Sequence, residues 1–461
     1  MKPLPNGGDK FKARFVAKGF SQVQDIDYTE TFAPTAKFTT LRALMQIAAN
    51  KGLRVHQMDF KTAYLNADID HEIYVKQPEG FEVFDSDGKV LYCKLKKSLY
   101  GLKQSGRCWN SLIHRHLISQ NFIQSKSDHC LYVKHDGNNF IFVLLWVDDI
   151  IDISNNVQWG VDFEDSLKDN FKMTDLGQLN WFLGISFKFT ESDILMNQTR
   201  YIEKILDRFG MKDCFPTKSP YDMSIKNICT VQSKELADSS LYREIVGSLI
   251  YLMICTRPDL SFIVSKLSQF MSKPTICHLN AAKYVLRYLK GTKEYGLRYT
   301  KSNNPMQIIG HTDSDWGSSE DRKSISGYCF QLNKDSSLIS WKSKKQATVA
   351  LSSCEAEYIA LTHCIQESKF IKQILKDLSL DCDVTVGIDN QGAMKLAQNP
   401  VFHERSKHID IRYHFIRDEI SSGHIKLVYV PTHENCADIF TKPVIHCKLS
   451  NQSTIAKDTV V

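Results

Sequence analysis

The segment that most limits the fold of this chain is an apolar run followed by two acids. Residues 141–147 read IFVLLWV, and a second apolar stretch, Ile150–Ile153, follows after Asp148 and Asp149. Short apolar runs of this kind are typical of buried strands, and aspartate suits the backbone of a tight turn. The pattern therefore predicts a buried hairpin with two carboxylates at its tip.

A third carboxylate, Asp59, stands near the end of another predicted strand, Val55–Phe60. Adjacent carboxylates repel each other, which raises a pKa unless cations neutralise the charge. Mg²⁺ prefers oxygen ligands, and two such ions about 3.5–4 Å apart can bind the attacking and leaving oxygens of a phosphoryl displacement. The alternative is that Asp148 and Asp149 serve only the turn, and the residues by themselves leave both interpretations open.

The remaining pattern of the first 300 residues is mixed. The segment Lys10–Lys18 alternates basic and apolar residues and predicts a strand with one basic face. Thr39–Lys51 has helical spacing, a threonine as a candidate cap and Gly52 as a stop. Residues 213–240 are polar and predict a linker, and Leu241–Tyr288 predicts three helices, with Pro258 in a first turn.

After a loop at Lys301–Pro305, strands and helices alternate, which predicts a mixed α/β sheet of about 140 residues. The predicted strands are Gln307–Thr312, Gly327–Leu332, Val384–Ile388 and Ile425–Val430, and the main helices are Ser352–Leu378 and Gly392–Gln398.

A second set of acids follows the ends of these strands or begins a helix. Carboxylates at such places can converge on one rim of a sheet and hold two metal ions. Glu355 and Glu357 lie two residues apart on one predicted helix, so only one of the two can point into the site. The set consists of Asp313, Asp315, Glu355, Glu357, Asp389 and Asp438.

Composition excludes several other classes of protein. With 43% hydrophobic and 24% charged residues, the chain is neither a disordered tail nor a fibre. Its formal charge of +6 permits the binding of a polyanion, and its 13 cysteines include no C-x-x-C pair. No apolar run approaches the ~18 residues that a membrane span needs. We expect a soluble intracellular protein with free thiols and no secretory signal.

Longer segments carry a resemblance to a known family. KARFVAKGFSQ, DYTETFAPTAKFTTLRAL, MDFKTAYLNA, IYVKQPEGF, KLKKSLYGLKQSGRCW, LLWVDDI and FLGISF resemble the reverse transcriptase of copia-type LTR retrotransposons. HTDSDWGSSEDRKSISGYCF, ISWKSKKQATVALSSCEAEYIAL, DNQGAMKLAQNPVFHERSKHIDIRYHFIRD and VPTHENCADIFTKP resemble the ribonuclease H domain of the same polyproteins. The resemblance runs in family order from about Lys10 to Pro443.

The resemblance implies an α/β (α+β) fold, a right-hand polymerase followed by a ribonuclease H-like mixed-sheet domain. Residues 1–212 would form fingers and palm, with the first finger strand and the upstream polyprotein regions missing. Residues 213–304 would form a linker and a helical thumb or connection, 305–443 the ribonuclease H domain, and 444–461 a divergent tail.

The resemblance also implies roles for single residues. Asp59 and Asp148 would be metal ligands, supported by Asp149 and by the carbonyl of Phe60. The residues expected to face the nucleotide are Lys12, Arg14, Tyr64 and Gln104, and those expected to line a nucleic-acid channel are Lys94, Lys96, Lys97, Lys103 and Arg107. The ligands of the second site would be Asp313, Glu357 (with Glu355 as the reserve), Asp389 and Asp438, and His433 would assist product release.

The implied activity is RNA- and DNA-directed DNA synthesis with ribonuclease H cleavage, each with two Mg²⁺ ions, or Mn²⁺. The implied partners are an RNA template, a DNA primer, an RNA–DNA hybrid, deoxynucleoside triphosphates and other Pol or Gag regions, without a membrane. The implied location is cytoplasmic, in a virus-like particle, or nuclear.

Two alternatives remain beside this activity. One is a decayed or host-captured remnant that binds nucleic acid without polymerising, and the other is a nuclease with an inert polymerase half. Trp146, where the family has tyrosine before Val-Asp-Asp, and Asp152, in the return strand of the hairpin, depart from the family pattern.

Overall fold

The computed structural model describes residues 2–3, 9–10, 13–222, 235–398, 407–443 and 455–457. The α-helices are α1 (Phe38–Lys51), α2 (Ser105–Ser119), α3 (Val157–Asn170), α4 (Thr199–Arg208), α5 (Ser239–Cys255), α6 (Ser261–Ser268), α7 (Ile276–Gly291), α8 (Ser353–Asp377), α9 (Gln391–Gln398) and α10 (Lys407–Ser421). The strands are β1 (Lys2–Pro3), β2 (Asp9–Lys10), β3 (Arg54–Phe60), β4 (Tyr74–Lys76), β5 (Tyr92–Lys94), β6 (Ile123–Gln124), β7 (Leu131–Asp136), β8 (Asn139–Trp146), β9 (Asp149–Ser154), β10 (Met173–Gln178), β11 (Trp181–Phe182), β12 (Ile185–Phe189), β13 (Asp193–Asn197), β14 (Tyr295–Thr300), β15 (Ile308–Asp315), β16 (Ile325–Gln331), β17 (Ser340–Lys345), β18 (Val384–Ile388), β19 (Lys426–Tyr429) and β20 (Ile455–Lys457).

The chain is a mixed α/β protein that forms two compact units. The first unit comprises residues 1–36 and 55–178, and the second comprises residues 37–54 and 179–461. Helix α1 therefore belongs to the second unit, although it lies between two parts of the first in sequence. This division follows packing and differs from the four segments expected from family resemblance, which stay a prediction.

The first unit is built on a six-stranded sheet with the order β10-β3-β9-β8-β7-β6. The predicted hairpin is confirmed as the antiparallel pair β8–β9, in which Trp146 pairs with Asp149. Its turn is formed by Val147 and Asp148, and Val147 has φ 57°. A β-branched residue is strained in this left-handed region, so the surrounding sheet must hold the turn in place.

Two other predictions for the first 60 residues have different outcomes. Lys10 ends the short strand β2, but residues 13–18 form no regular element, so the predicted basic strand is wrong over these residues. Helix α1 is confirmed and ends at Gly52, whose φ of 60° is the left-handed conformation that glycine adopts easily. The N-cap residue is Lys37, whose side chain makes no capping hydrogen bond. The prediction of a threonine N-cap is therefore wrong.

In the second unit, the three helices predicted between residues 241 and 288 are confirmed as α5, α6 and α7. Together with α4 they bury a shared apolar core that includes Ile202, Ile245, Leu249 and Val285. Pro258 begins a short 3-10 helix before α6, as its fixed φ favours. A five-stranded sheet, β11-β12-β13-β14-β20, also belongs to this unit, and the sequence pattern did not predict it.

A second five-stranded sheet has the order β17-β16-β15-β18-β19. Strands β15, β18 and β19 are parallel, whereas β16 and β17 run antiparallel. The four strands and two helices predicted here are confirmed, whereas β17 and α10 were missed. Helix α8 buries Ala356, Tyr358, Ile359 and Leu361. The mixed sheet brings the ends of parallel strands β15 and β18 to one edge.

Every cysteine whose side chain is described is free, as expected for thiols outside a disulfide framework. None of the helices in the described residues combines the length and the apolar character required to cross a bilayer.

Candidate active sites

The first acidic centre lies in the first unit, where β3 ends beside the hairpin turn. The backbone N–H of Phe60 donates to the carbonyl of Asp148 over 2.7 Å. This bond brings the strand that carries Asp59 to the turn that carries Asp148, and Asp149 begins β9 next to it. The buried Phe60 ring packs edge-on against Trp109, with 4.8 Å between ring centroids.

Two carboxylates of this centre accept hydrogen bonds from neutral side chains. The Tyr100 hydroxyl donates to Asp148 Oδ2 over 2.7 Å, and Gln57 Nε2 donates to Asp149 Oδ1 over 3.2 Å. The ligand atoms of Asp59, Asp148 and Asp149, all described, do not form a group within 4.8 Å of one another. The backbone segments that carry the three carboxylates therefore lie close together, but the carboxylate oxygens are not grouped as metal ligands.

Two of the expected nucleotide-facing residues lie beside this centre. The rings of Tyr64 and Tyr100 pack with centroids 4.5 Å apart, and the guanidinium of Arg14 lies 5.8 Å from the Tyr100 ring. Burial, and then the charge of Asp148, raise the pKa of Tyr64. Burial and the hydrogen bond to Asp148 likewise raise the pKa of Tyr100. Both hydroxyls therefore stay protonated, and Tyr100 can act only as a donor to Asp148.

Sequence reasoning missed Tyr100, although it lies in the quoted segment KLKKSLYGLKQ. A close approach of two loops positions it. Ala17 N donates to the Tyr100 carbonyl over 2.8 Å, and the following Gly101 has φ 98°. A Cβ at Gly101 would lie 2.1 Å from the carbonyl oxygen of Ala17. Only glycine fits this contact. The Tyr-Gly dipeptide was therefore the sequence signal that could have pointed to Tyr100.

Gln104 has two hydrogen-bond partners within the protein, and its expected place near the nucleotide stays a prediction. Its side chain is fully buried, donates to the Asp27 carbonyl over 2.8 Å and accepts from Gln22 Nε2 over 3.1 Å. Buried amides keep such partners because losing them would cost free energy. Gln104 therefore holds the segment at residues 22–27 in place. Lys12, the other expected nucleotide contact, lies outside the described residues.

The basic residues expected in a nucleic-acid channel are mostly paired within the first unit. Lys94 pairs with Glu72 and Lys97 with Asp68, at 2.8 and 2.7 Å. Arg107 pairs with Asp70, and Lys103 donates to the Tyr28 hydroxyl over 3.1 Å. Exposed pairs such as those of Lys94 and Lys97 contribute little stability and exchange easily for phosphate. Lys96 is exposed.

A network of charged groups, with His56 and Glu164 buried and Lys168 and Asp175 exposed, supports the strand that carries Asp59. His56 Nε2 lies 2.6 Å from Asp175 Oδ1 and 3.5 Å from Glu164 Oε2, and Lys168 pairs with Asp175 at 3.1 Å. The network links β3 to α3 and β10. Sequence reasoning missed it because these residues are far apart in the chain and have no recognisable spacing.

The second acidic centre lies in the second unit, at the edge where β15 and β18 end. Asp313 lies in β15, Asp389 follows β18, and Asp438 lies in a 3-10 helix at Cys436–Phe440. One ligand atom from each of the three lies within 4.8 Å of the others. Asp313 pairs in register with Gly327, where a Cβ would lie 2.7 Å from Phe440 Cβ. The missing side chain lets the 3-10 helix approach the sheet.

The structure separates the two glutamates of α8. Glu357 is 5% exposed, accepts from Ser314 N over 3.1 Å, and its Oε2 is buried without a hydrogen-bond partner. Glu355 instead accepts from Leu351 N over 2.7 Å, while its own N–H donates to Ser352. This is a capping arrangement at the start of the helix. Glu357 therefore faces the second centre, and Glu355 closes the helix end.

Burial and mutual repulsion dominate the electrostatics of the second centre. Burial raises the pKa of Asp313 to about 6, although Lys442 and Thr441 oppose the shift. Burial and the charges of Asp313 and Asp389 raise the pKa of Glu357 well above its ordinary value. Protonation of buried carboxylates is the usual response when no cation neutralises them.

The last two site predictions concern Asp315 and His433. Asp315 is half-buried at the end of β15 and is not part of the group of three carboxylates. His433 is exposed in the loop after β19, with Nε2 3.4 Å from Glu434 Oε1. Its position on an exposed loop leaves it accessible to a product, and its role stays a prediction.

The donor sets of both centres fit a divalent cation. All candidate ligands are oxygens, which suits Mg²⁺ or Mn²⁺. At the second centre, Glu357 Oε2 is buried without a partner, as expected of a ligand atom. At the first centre, a cation would have to replace Tyr100 as the partner of Asp148 Oδ2 or share that oxygen with it.

Comparison with known proteins gives the family. Residues 6–223 match the family model described as reverse transcriptase (RNA-dependent DNA polymerase). The Pol polyprotein of transposon TNT 1-94 from Nicotiana tabacum is 40% identical over 94% of this chain and 33% of its own length. A putative transposon Ty5-1 protein of Saccharomyces cerevisiae is 32% identical over 67% of this chain and 100% of its own length.

Among solved structures, a foamy viral protease-reverse transcriptase in complex with dsDNA covers 84% of this chain and 70% of its own, with 13% identity and a TM-score of 0.44. The chain spans about a third of the curated Pol polyproteins that it matches, 33% and 30% for the first two. By its matches over nearly its whole length, the chain belongs to the family of retrovirus-related Pol polyproteins of copia-type transposons and carries that family's reverse transcriptase region.

Proposed function

We propose that the chain performs template-directed DNA synthesis at the first centre and cleaves the RNA strand of an RNA–DNA hybrid at the second. The observation that carries the proposal is that a member of this family has acidic residues at strand ends in two separate places, with three of the carboxylates grouped at the second. Divalent cations, when bound, would activate the attacking oxygen and stabilise the leaving oxygen. The remaining catalysis is positioning and charge neutralisation by the chain itself.

At the first centre, Asp59 and Asp148 would hold the cations, with Asp149 and the Phe60 carbonyl in support. Arg14 lies near the Tyr100 ring and would bind the triphosphate of the incoming nucleotide. The half-buried ring of Tyr64 would exclude a ribose 2′-OH. The template would be RNA or DNA and the substrate a deoxynucleoside triphosphate.

At the second centre, Asp313, Glu357, Asp389 and Asp438 would hold the cations against the phosphate to be cut. His433 would assist the departure of the product. The enzyme would recognise backbone and helix shape, because a copying enzyme must accept every base. The fingers and palm would be residues 1–212, the thumb or connection residues 213–304, and the ribonuclease H domain residues 305–443. The chain would act together with other regions of the polyprotein, in a particle or in the nucleus.

The test pairs two assays with two variants. With Mg²⁺ and an oligo-dT-primed poly-rA template, the protein should incorporate dTTP, and Asp148→Asn should abolish incorporation while leaving hybrid cleavage. Asp389→Asn should abolish cleavage of labelled RNA in a hybrid while leaving incorporation. Incorporation no higher than that of Asp148→Asn would refute the polymerase, and equal cleavage by Asp389→Asn would reveal a contaminating nuclease.

A second candidate is a nuclease with an inert polymerase half. It is favoured by the assembly of Asp313, Asp389 and Asp438 within 4.8 Å, since Asp59, Asp148 and Asp149 are not assembled in this way. Cleavage without incorporation would support it. The absence of both activities, with retained hybrid binding, would support a decayed remnant.

A further inference from the structure

A lysine that no part of the proposed chemistry uses lies inside the second centre. Lys442 Nζ lies 2.8 Å from Asp438 Oδ1 and 3.7 Å from Asp313 Oδ2. Its side chain is 36% exposed, so the ammonium can reach either the carboxylates or water. Two of the four candidate ligands therefore share one cation that belongs to the protein itself.

The local chain explains why the lysine lies there. Lys442 follows Asp438 by four residues, just after the 3-10 helix, and its N–H donates to the Asp438 carbonyl over 3.2 Å. The preceding Thr441 hydroxyl donates to Asp313 Oδ2. Thr441 is fully buried against the position of Gly327, which has no side chain to obstruct it. The backbone thus directs two successive donors at the same carboxylate.

Lys442 neutralises some of the carboxylates of this centre and not others. Lys442 forms ion pairs with both Asp313 and Asp438. Glu357 Oε2, by contrast, is buried without a hydrogen-bond partner. An ammonium has one charge and three donors, whereas a divalent cation binds several carboxylates at once. The lysine therefore satisfies only part of the site.

We propose that Lys442 is a built-in counter-cation that competes with a divalent cation for Asp313 and Asp438. It would limit the repulsion among the buried carboxylates of the metal-free protein and swing towards water when the metal binds. The flexible four-carbon stem and the partial exposure of Lys442 permit this exchange. The inference rests on the proposed metal site and adds a residue that sets its affinity.

The experiment measures metal binding without any nucleic acid. Mg²⁺ is titrated by calorimetry into the full chain carrying Asp148→Asn, so that the first centre contributes little. Lys442→Met in this background should bind Mg²⁺ about tenfold more tightly or better, since removal of a nearby like charge relieves repulsion of that size even in a polar surrounding. Lys426→Met, at an exposed lysine of β19, is the matched control and should leave the affinity unchanged.

A second readout separates competition from a merely structural role. In EDTA, Lys442→Met should lower the thermal midpoint, and Mg²⁺ should raise that midpoint by more than it does with Lys442 present. If Lys442 served only to stabilise the fold, its replacement would not increase the affinity for Mg²⁺. If Lys442→Met folds poorly, Lys442→Gln replaces it, with the same expectation.

The outcomes also distinguish this inference from the proposed function. Unchanged or weaker Mg²⁺ binding by Lys442→Met, with binding that Asp438→Asn removes, would overturn the inference and leave the metal site intact. No Mg²⁺ binding by the chain, with or without Asp438→Asn, would overturn both.

Discussion

The two acidic centres differ in how the protein handles their charge. In the first, Asp148 and Asp149 accept hydrogen bonds from the neutral side chains of Tyr100 and Gln57, and the three carboxylates do not form a group within 4.8 Å. The second brings three carboxylates within 4.8 Å, buries Asp313 and Asp438, and adds Lys442. Repulsion between like charges grows as water is removed, so a nearby cation stabilises the buried carboxylates of the second centre. The half-buried carboxylates of the first centre can instead stay apart until a ligand binds.

The largest effect should separate the two glutamates of α8. Glu357→Gln should reduce hybrid cleavage at least about hundredfold, because it removes a buried charge aimed at the site. Glu355→Gln should leave cleavage within about twofold and lower the free energy of unfolding by less than about 1 kcal/mol, because it only weakens a helix cap. Single-turnover cleavage and urea unfolding measure both. Comparable loss of cleavage in the two variants would reverse their assignment.

The next effect is the pH dependence of the metal-free protein. Because burial raises the pKa of Asp313 from 3.8 to about 6, the folded state holds its proton over a window in which the unfolded state has lost it. The free energy of unfolding should therefore fall as the pH rises from about 4 to about 6, by up to about 3 kcal/mol from this group. The raised pKa of Glu357 extends the fall to higher pH.

Urea unfolding in EDTA at several pH values tests this expectation. Asp313→Asn should flatten the fall, whereas Asp335→Asn, at an exposed carboxylate of the same unit, should not. A fall of the same size in Asp313→Asn would show that the raised pKa of Asp313 is not its cause.

The smallest effect concerns the neutral donor of the first centre. Tyr100→Phe removes a hydrogen bond to Asp148 and should lower dTTP incorporation about tenfold, as a bond to a charged group is worth about 1.5–3 kcal/mol. Tyr92→Phe, at an exposed tyrosine of β5, is the control. A rise in incorporation would show that Tyr100 competes with the metal, which would make the two centres alike.

Some site positions were predictable from the sequence because local patterns define them. The apolar runs around Asp148 predict the β8–β9 hairpin, and strand ends predict where Asp313 and Asp389 stand. The burial of Gln104 was not predicted, because it depends on the segment at residues 22–27, which is distant in sequence. Tyr100 was missed because its contacts with Ala17 and Asp148 join residues that are distant in sequence.

The sequence by itself determined the family, the acidic residues and most of the strands and helices around them, because motifs and periodicity are local properties. The tertiary structure decided which of Glu355 and Glu357 enters the second centre, that α1 packs with the second unit, and that Lys442 lies among the carboxylates. Each of these depends on where a side chain meets residues far away in the chain, and burial there sets both its partners and its charge.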